Sequence, residues 1–505
     1  MISKRQFTAV IFIVIIVTSL LTWSVNNFVV YGIGDEMTGK FRTIAGIIQR
    51  NSYHDLSDDA LQDGSISGMV ASLNDPDSTY LSPQEAQAFD QKFLAEYTGI
   101  GVRTTKIISG FMVVDVAAES PAARSGIKLN DVLIKVNGED IRGANGTIND
   151  VLRNKNLEQL TVLRAETEVN IAVEPARVDF TNSISTIHNV GDKKILVFDM
   201  QRFTDRTYDL FVQDLKRLES EPIDGVIIDL RNNEGGSVDV ARKILAASVR
   251  GKDEEGNAFN YLTLQNKDQA KKAKEARDEG REAPKDAFDR FVASNTSFQI
   301  KQPTVILMNQ KTASAAEMVA AAMNEIDGIP LIGSMSLGKG TVQELIPIVS
   351  DGSAIKLTTK KWFTHTQRNL TPEHALEPTI VAVDSIPYTI RTVGADKEYK
   401  TGDKDTPGSR TIADIQMILG YFGYETKRAD GLFDRGTETQ LKKFQEDNGI
   451  RQSGRIDMPT LQKVNEKLIA YTKNVKNDTT MQKAFEQLQV LSEEATQAKI
   501  KKRNE

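Results

Sequence analysis

The sequence predicts a multidomain α/β protein, on three observations. Its 505 residues exceed what one hydrophobic core serves and suggest three or so domains. Residues 180 to 385 alternate short apolar runs with amphipathic stretches, the pattern of a sheet flanked by helices. Residues 95 to 175 instead read as a run of strands, and the stretch after 410 as a set of helices.

Composition removes several chemistries. The net charge is -6, so no electrostatic footprint for nucleic acid is present. The absence of cysteine excludes disulfides, thiolate catalysis and thiolate metal sites together. The histidines, His54, His188, His365 and His374, share no metal-like spacing. No cofactor and no metal are expected.

Residues 1–34 hold Lys4 and Arg5 and then an apolar run from Phe7 to Val25. About 19 residues at about 1.5 Å each nearly match a hydrocarbon core of about 30 Å. The expectation is an N-terminal transmembrane helix, with the membrane as a partner and the basic N-terminus cytoplasmic. Everything after it would then be extracytoplasmic. A cleaved signal peptide would have a shorter core and an A-x-A-like site.

Residues 35–92 read as helical, with Ile44, Ile47 and Ile48 and then Leu61, Met69 and Leu73 at helical spacing. A turn cluster spans Asn74 to Pro83, and Ser82-Pro83-Gln84-Glu85 has the chemistry of a helix start.

Residues 93–177 read as β. The strands Phe111–Val116 and Asp131–Val136 flank Ser120-Pro121-Ala122-Ala123-Arg124-Ser125-Gly126, a short capped helix closed by glycine. With Tyr97-Thr98-Gly99-Ile100-Gly101 before the first strand, this region resembles a PDZ domain. In that family such a loop turns backbone N–H groups toward a peptide C-terminal carboxylate, and the peptide adds as a strand. The resemblance makes Gly99, Ile100 and Gly101 the expected substrate-binding residues. Arg164, near the domain's end, reads most simply as solvated surface.

Residues 178–385 form the α/β stretch. Lys194–Phe198, Gly225–Leu230 and Gln302–Leu307 read as strands, and Tyr208–Leu218 and Val238–Val249 as helices. Residues 252–298 are charged, show no core face and read as an insertion: a solvated arm, or a lid. Residues 386–408 read as a linker. Residues 409–470 read as three helices whose segments I-Q-x-x-L-G-x-F-G-Y, D-G-x-F and L-K-K-F-Q resemble the peptidoglycan-binding-like domain. A structural module without glycan binding is the alternative, since fold does not fix ligand. Residues 471–505 are a charged, helix-prone tail without a motif.

The chemistry centres on residues 309 to 343. Ser314 stands in Thr312-Ala313-Ser314-Ala315-Ala316-Glu317, at the start of an alanine-rich helix. A serine hydroxyl needs a base to become a nucleophile, and no histidine lies near. Lysine can serve where dry surroundings disfavour its charged form. Lys339, between Gly338 and Gly340, has Ile332, Leu337, Val342 and Leu345 to supply an apolar wall. Gln343 shares its face at period two and can orient the amine. The Ala315 N–H at the helix start would face an oxyanion, with Gly235 or Gly236 as second donor. Gly333 to Gly340 nearly spells a phosphate-binding loop, but Gly340 stands where a hydroxyl is needed, and the following sequence is β-rich rather than helical.

Together with Asp229-Leu230-Arg231-Asn232-Asn233-Glu234-Gly235-Gly236 and the D-P-x-S-T-Y-L-S-P run at 75 to 83, these residues resemble the C-terminal processing peptidases. The resemblance implies a serine endopeptidase on a crotonase-like α/β core. Ser314 would be nucleophile, Lys339 base and Gln343 orienter, with the PDZ domain capturing substrate C-termini and gating the site. Polypeptides are the implied partners, with peptidoglycan and a homodimer as further expectations. The chain departs from the family at Ala316, where serine is usual, and at Asn232-Asn233-Glu234-Gly235-Gly236, where G-N-P-G-G is usual. A non-catalytic scaffold that tethers protein tails to the wall is the competing reading.

Overall fold

The computed structural model describes residues 35 to 504, except 95, 118–119, 145–147, 153–156, 158, 165–166, 180–182, 293–299, 349–350 and 384–391. The chain divides into two compact units, one reaching to Ala86 and including Leu345–Leu357, the other holding Gln87–Glu344 and Thr358–Glu505.

In the first unit, Ser57 caps the helix Asp58–Ala71 by accepting the Ala60 amide. The turn cluster is fixed by Asp75, whose carboxylate accepts the Ser78 hydroxyl and the Asp77 amide. It delivers the strand Thr79–Leu81, which pairs antiparallel with Ala354 to Lys356. Tyr80 is buried there and donates its hydroxyl to Asp63 at 2.7 Å. At the start of helix Pro83–Leu94, Ser82 and Glu85 exchange hydrogen bonds, as the S-P-Q-E signal requires.

Among the described residues, no helix is long and apolar enough to cross a membrane. The run from Phe7 to Val25 lies outside them. The expected transmembrane anchor, and with it the membrane as partner and the single-pass localisation, is not supported by any described helix. Apolar length permits a span, but other apolar segments share it.

The second unit is built on a six-stranded sheet in the order Ile184–Val190, Lys193–Asp199, Gly225–Asp229, Thr304–Met308, Leu331–Gly333, Ile380–Val381. The first pair is antiparallel and the others parallel. A parallel sheet must be covered on both faces. Phe198, Val226, Ile228, Ile306 and Met308 pack with residues of the helices Asp205–Ser220, Val238–Ser248 and Ala315–Asp327. Ile195, Val197, Ile227, Val305, Leu307 and Ile332 pack with Met481, Ala484 and Leu488 of the helix Thr479–Asn504. The tail without a motif thus helps to cover the sheet's second face.

The 252–298 segment is not a solvated arm. Its strand Asn260–Asn266 buries Tyr261, Leu262 and Leu264 in the main core and pairs with the end of Ala354–Phe363. These three core residues were hidden from a composition reading by the charged helix Lys267–Asp278 that follows.

The β-rich region forms a sheet in the order Val102–Ile107, Gly110–Val116, Val132–Val136, Gln159–Arg164, Thr167–Ala172. Arg164 is not simply solvated: it donates to the buried Asp131 at 2.6 and 2.7 Å. One side of this sheet, with Ile107, Met112, Val114 and Ile134, shares a core with the C-terminal helices Thr411–Tyr421, Arg435–Asp447 and Met458–Lys473. The sequence expected as linker takes part, because Val393, Ala395 and Tyr399 are buried in that core.

The C-terminal module repeats one device. Gln416 donates to the Leu432 carbonyl and the Thr437 hydroxyl and accepts the Gly431 amide. Gln445 does the same with Arg455, Thr460 and Gly454. Asp434 and Asp457 cap the helices that follow.

Candidate active site

The strands Gly225–Asp229, Thr304–Met308 and Leu331–Gly333 are parallel neighbours, so the loops after them leave the same edge of the sheet. Those loops carry Gly235 and Gly236, Ser314 and Lys339. The topology alone therefore gathers three stretches far apart in sequence.

The turn before Ser314 is tied down twice. The Thr312 hydroxyl donates to the Leu230 carbonyl at 2.8 Å, and the Ala313 amide to the Asn233 carbonyl at 2.9 Å. Ser314 itself has φ 54° and ψ −119°, and helix Ala315–Asp327 follows at once. A serine at positive φ is strained and persists only where its surroundings hold it. Gly235 is one reason it can: a Cβ there would lie 3.0 Å from the Ser314 Cβ and 2.9 Å from the Ala313 oxygen. The Gly235 N–H donates to the Asn233 side chain at 2.8 Å, so it serves the loop. Gly236 is pressed against Phe203, whose carbonyl a Cβ would approach to 2.4 Å.

The glycines beside Lys339 have a steric cause. A Cβ on Gly338 would stand 2.1 Å from the Thr371 oxygen, and one on Gly340 2.2 Å from the Leu370 oxygen. The Lys339 carbonyl accepts the Trp362 indole N–H at 2.7 Å. Lys339 and Ser314 are both half-buried.

One residue joins the two loops, and the reading of motifs assigned it no role. Glu317 is fully buried. Its Oε2 accepts the Ser314 amide at 2.7 Å and the Lys339 amide at 2.9 Å. Its Oε1 accepts the Gly338 amide at 2.7 Å and the Ser336 hydroxyl at 2.5 Å. Two amides on one oxygen lie no farther apart than the sum of those bonds, so the backbones of Ser314 and Lys339 are neighbours. Burial pushes the Glu317 carboxyl above its ordinary value, although all four donors pull the other way. A signal was available: Ser314-Ala315-Ala316-Glu317 before an apolar run is the S-x-x-E capping pattern.

Gln343 lies in the strand Thr341–Pro347. Its amide nitrogen donates to the Thr341 and Thr358 hydroxyls, both at 3.0 Å. His365 bonds the Asn260 carbonyl and His188 the Thr186 hydroxyl.

In the β-rich domain, the Ile100 and Gly101 carbonyls accept the Ala122 and Ala117 amides. Gly101 has φ 81°, and a Cβ there would strike Ser120 at 2.2 Å. Gly99 pairs with Ala176. The strand Val102–Ile107 ends its sheet, the position at which an added strand can pair.

A strained serine at a helix start, neighboured by a lysine loop and a glycine loop on one α/β sheet edge, is an arrangement that a serine-type hydrolase requires. Four family models then match in order: Activating protease CtpB N-terminal domain over residues 26–85, PDZ domain over 98–174, Peptidase family S41 over 194–382, and Putative peptidoglycan binding domain over 409–464. The carboxy-terminal processing protease CtpA of Bacillus subtilis is 29% identical over 96% of this chain and 99% of its own length. CtpB of the same organism is 26% identical over 90% of this chain and 89% of its own. The solved photosystem II D1 C-terminal processing protease is 19% identical, with 68% of this chain and 86% of that chain covered and a TM-score of 0.39. The chain belongs to peptidase family S41: it is a serine-type C-terminal processing peptidase with PDZ and peptidoglycan-binding-like domains.

This corrects the crotonase-like assignment of the core, because the core falls to the S41 peptidases. Alternating strands and helices define a covered parallel sheet, and many unrelated folds share that pattern.

Proposed function

We propose that Ser314 is the nucleophile, Lys339 its general base and Gln343 the residue that orients the amine. The Ser314 Oγ attacks the scissile carbonyl carbon while its proton passes to the Lys339 Nζ. The tetrahedral oxyanion faces the Ala315 N–H at the helix start, with the Gly236 N–H as second donor. As the acyl-enzyme forms, the lysine returns the proton to the leaving amine. Water then releases the acyl group by the same route in reverse.

The substrate is a polypeptide cut near its C-terminus. Its carboxylate is received at Gly99, Ile100 and Gly101, where the loop carbonyls already have partners and the edge strand Val102–Ile107 follows. The C-terminal module binds peptidoglycan and keeps this work in the cell envelope.

The observation that carries the catalytic reading is the single Glu317 carboxylate that holds the Ser314 and Lys339 amides together. The test is cleavage of an unstructured polypeptide with an apolar C-terminus, followed by mass spectrometry. Ser314→Ala and Lys339→Met should each reduce the rate by about 10³-fold or more. Cleavage by either variant at the wild-type rate would remove that residue from its role.

A further inference from the structure

The loop that carries Gly235 and Gly236 begins at Arg231, a guanidinium with only 8% of its surface exposed. Asp229, in the strand before the loop, takes its Nε and one terminal nitrogen, at 3.0 and 2.7 Å. The other side is taken by Asp478, with two parallel contacts at 2.9 and 2.7 Å. Asp478 is also buried and comes from 247 positions away. Burial alone would weaken the hold of Arg231 on its proton, and the two carboxylates more than reverse that.

The place of Asp478 is set by packing. Its carboxylate accepts the Met481 amide at the first turn of helix Thr479–Asn504. Met481, Ala484 and Leu488 hold that helix on the peptidase sheet. The C-terminal helix Met458–Lys473 ends just before it.

From Arg231, the contacts lead to the serine. The Asn232 amide donates to the Asn309 side chain at 3.0 Å, and the Asn233 carbonyl receives the Ala313 amide next to Ser314. The Asn233 side chain holds the Gly235 amide and the Met200 carbonyl. A shift of Arg231 therefore moves the glycine loop and the nucleophile turn together.

We infer that Asp478 is a positioning residue of the peptidase site, acting through Arg231 to hold the 231–236 loop against Ser314. The C-terminal segment is in this sense part of the catalytic unit. The inference rests on the reading of Ser314 as nucleophile. Two parallel charge-assisted contacts fix orientation as well as distance, which a single hydrogen bond does not. A small misplacement of reacting groups costs rate without weakening capture of the substrate elsewhere.

The experiment measures kcat and KM of the full chain on the same polypeptide, with thermal unfolding of each variant. Asp478→Asn should lower kcat about tenfold with KM within about twofold, and Asp478→Glu should recover part of the loss. Leu441→Ala empties part of the separate core that the helix Arg435–Asp447 shares with the β-rich sheet, and should lower thermal stability while kcat stays near wild type. The inference is overturned if Asp478→Asn keeps its kcat or raises only KM. It is equally overturned if Leu441→Ala loses kcat as Asp478→Asn does, since the effect is then one of stability. Ser314→Ala serves as the control: if it cleaves like wild type, the nucleophile reading itself has failed, and the inference falls with it.

Discussion

Two buried charges flank the peptidase loops, and they hold the site in different ways. Glu317 lies within 22 positions of every group it binds and fastens one loop to the next. Arg231 reaches 247 positions to Asp478 and fastens a loop to a helix on the sheet's other face. Glu317 meets the nucleophile's own amide, whereas Asp478 acts through an intervening guanidinium. Damage at Glu317 should therefore fall on catalysis more heavily than damage at Asp478.

Of the two joints, the larger effect is expected from Glu317→Gln. The amide that replaces the carboxylate must turn an NH₂ toward a backbone N–H, because each carboxylate oxygen accepts at least one. At least one buried donor then loses its acceptor, at about 1–3 kcal/mol. The Ser314 and Lys339 backbones are no longer held to one atom, and kcat should fall about 10²-fold with little change in KM. Equal losses in Glu317→Gln and Asp478→Asn would erase the contrast between a direct and an indirect joint.

Gly338→Ala should come next. Its Cβ has no space beside the Thr371 oxygen, so the lysine loop must shift. A loss of about 10-fold to 10²-fold in kcat is expected. Gly328→Ala is the comparison, because Gly328 has φ 68° at the end of the serine helix and open space around it. It should cost only about 1 kcal/mol of stability and no activity. A variant of Gly338 with normal kinetics would show that the lysine loop tolerates movement.

Leu488→Ala probes the far side of the second joint. Leu488 is buried against the sheet, where its side chain lies over Gly225. Truncation should cost about 2–5 kcal/mol in thermal or denaturant unfolding.

How far the sequence exposed these two joints follows from their range. The strand and loop order around Ser314, the glycines beside Lys339 and the Ser82–Glu85 helix start all leave local patterns. Glu317 left one too, in its spacing from Ser314, but a capping pattern does not say that the same carboxylate will also meet Gly338 and Lys339. Asp478 left none. A single aspartate in a charged tail acquires meaning only when Met481, Ala484 and Leu488 dock, and their spacing was masked by the charges between them. The strand Asn260–Asn266 was hidden likewise. Tertiary burial of a short apolar run inside a polar segment has no local signature.

The smallest expected effect decides which force governs Glu317. Its folded carboxyl lies above the ordinary value because desolvation outweighs four hydrogen bonds. A raised value gives stability that is fully present below the ordinary carboxyl range and is lost as pH rises through the folded value. Glutamine does not titrate. The stability advantage of wild type over Glu317→Gln should therefore be greatest near pH of about 4 and shrink toward neutrality, as read by thermal unfolding across that window. If the gap widens with pH instead, the donors from Ser314, Gly338, Lys339 and Ser336 outweigh the dryness of the site. The carboxylate would then be a net electrostatic clamp on both loops, like Arg231, whose burial is more than offset by its two aspartates.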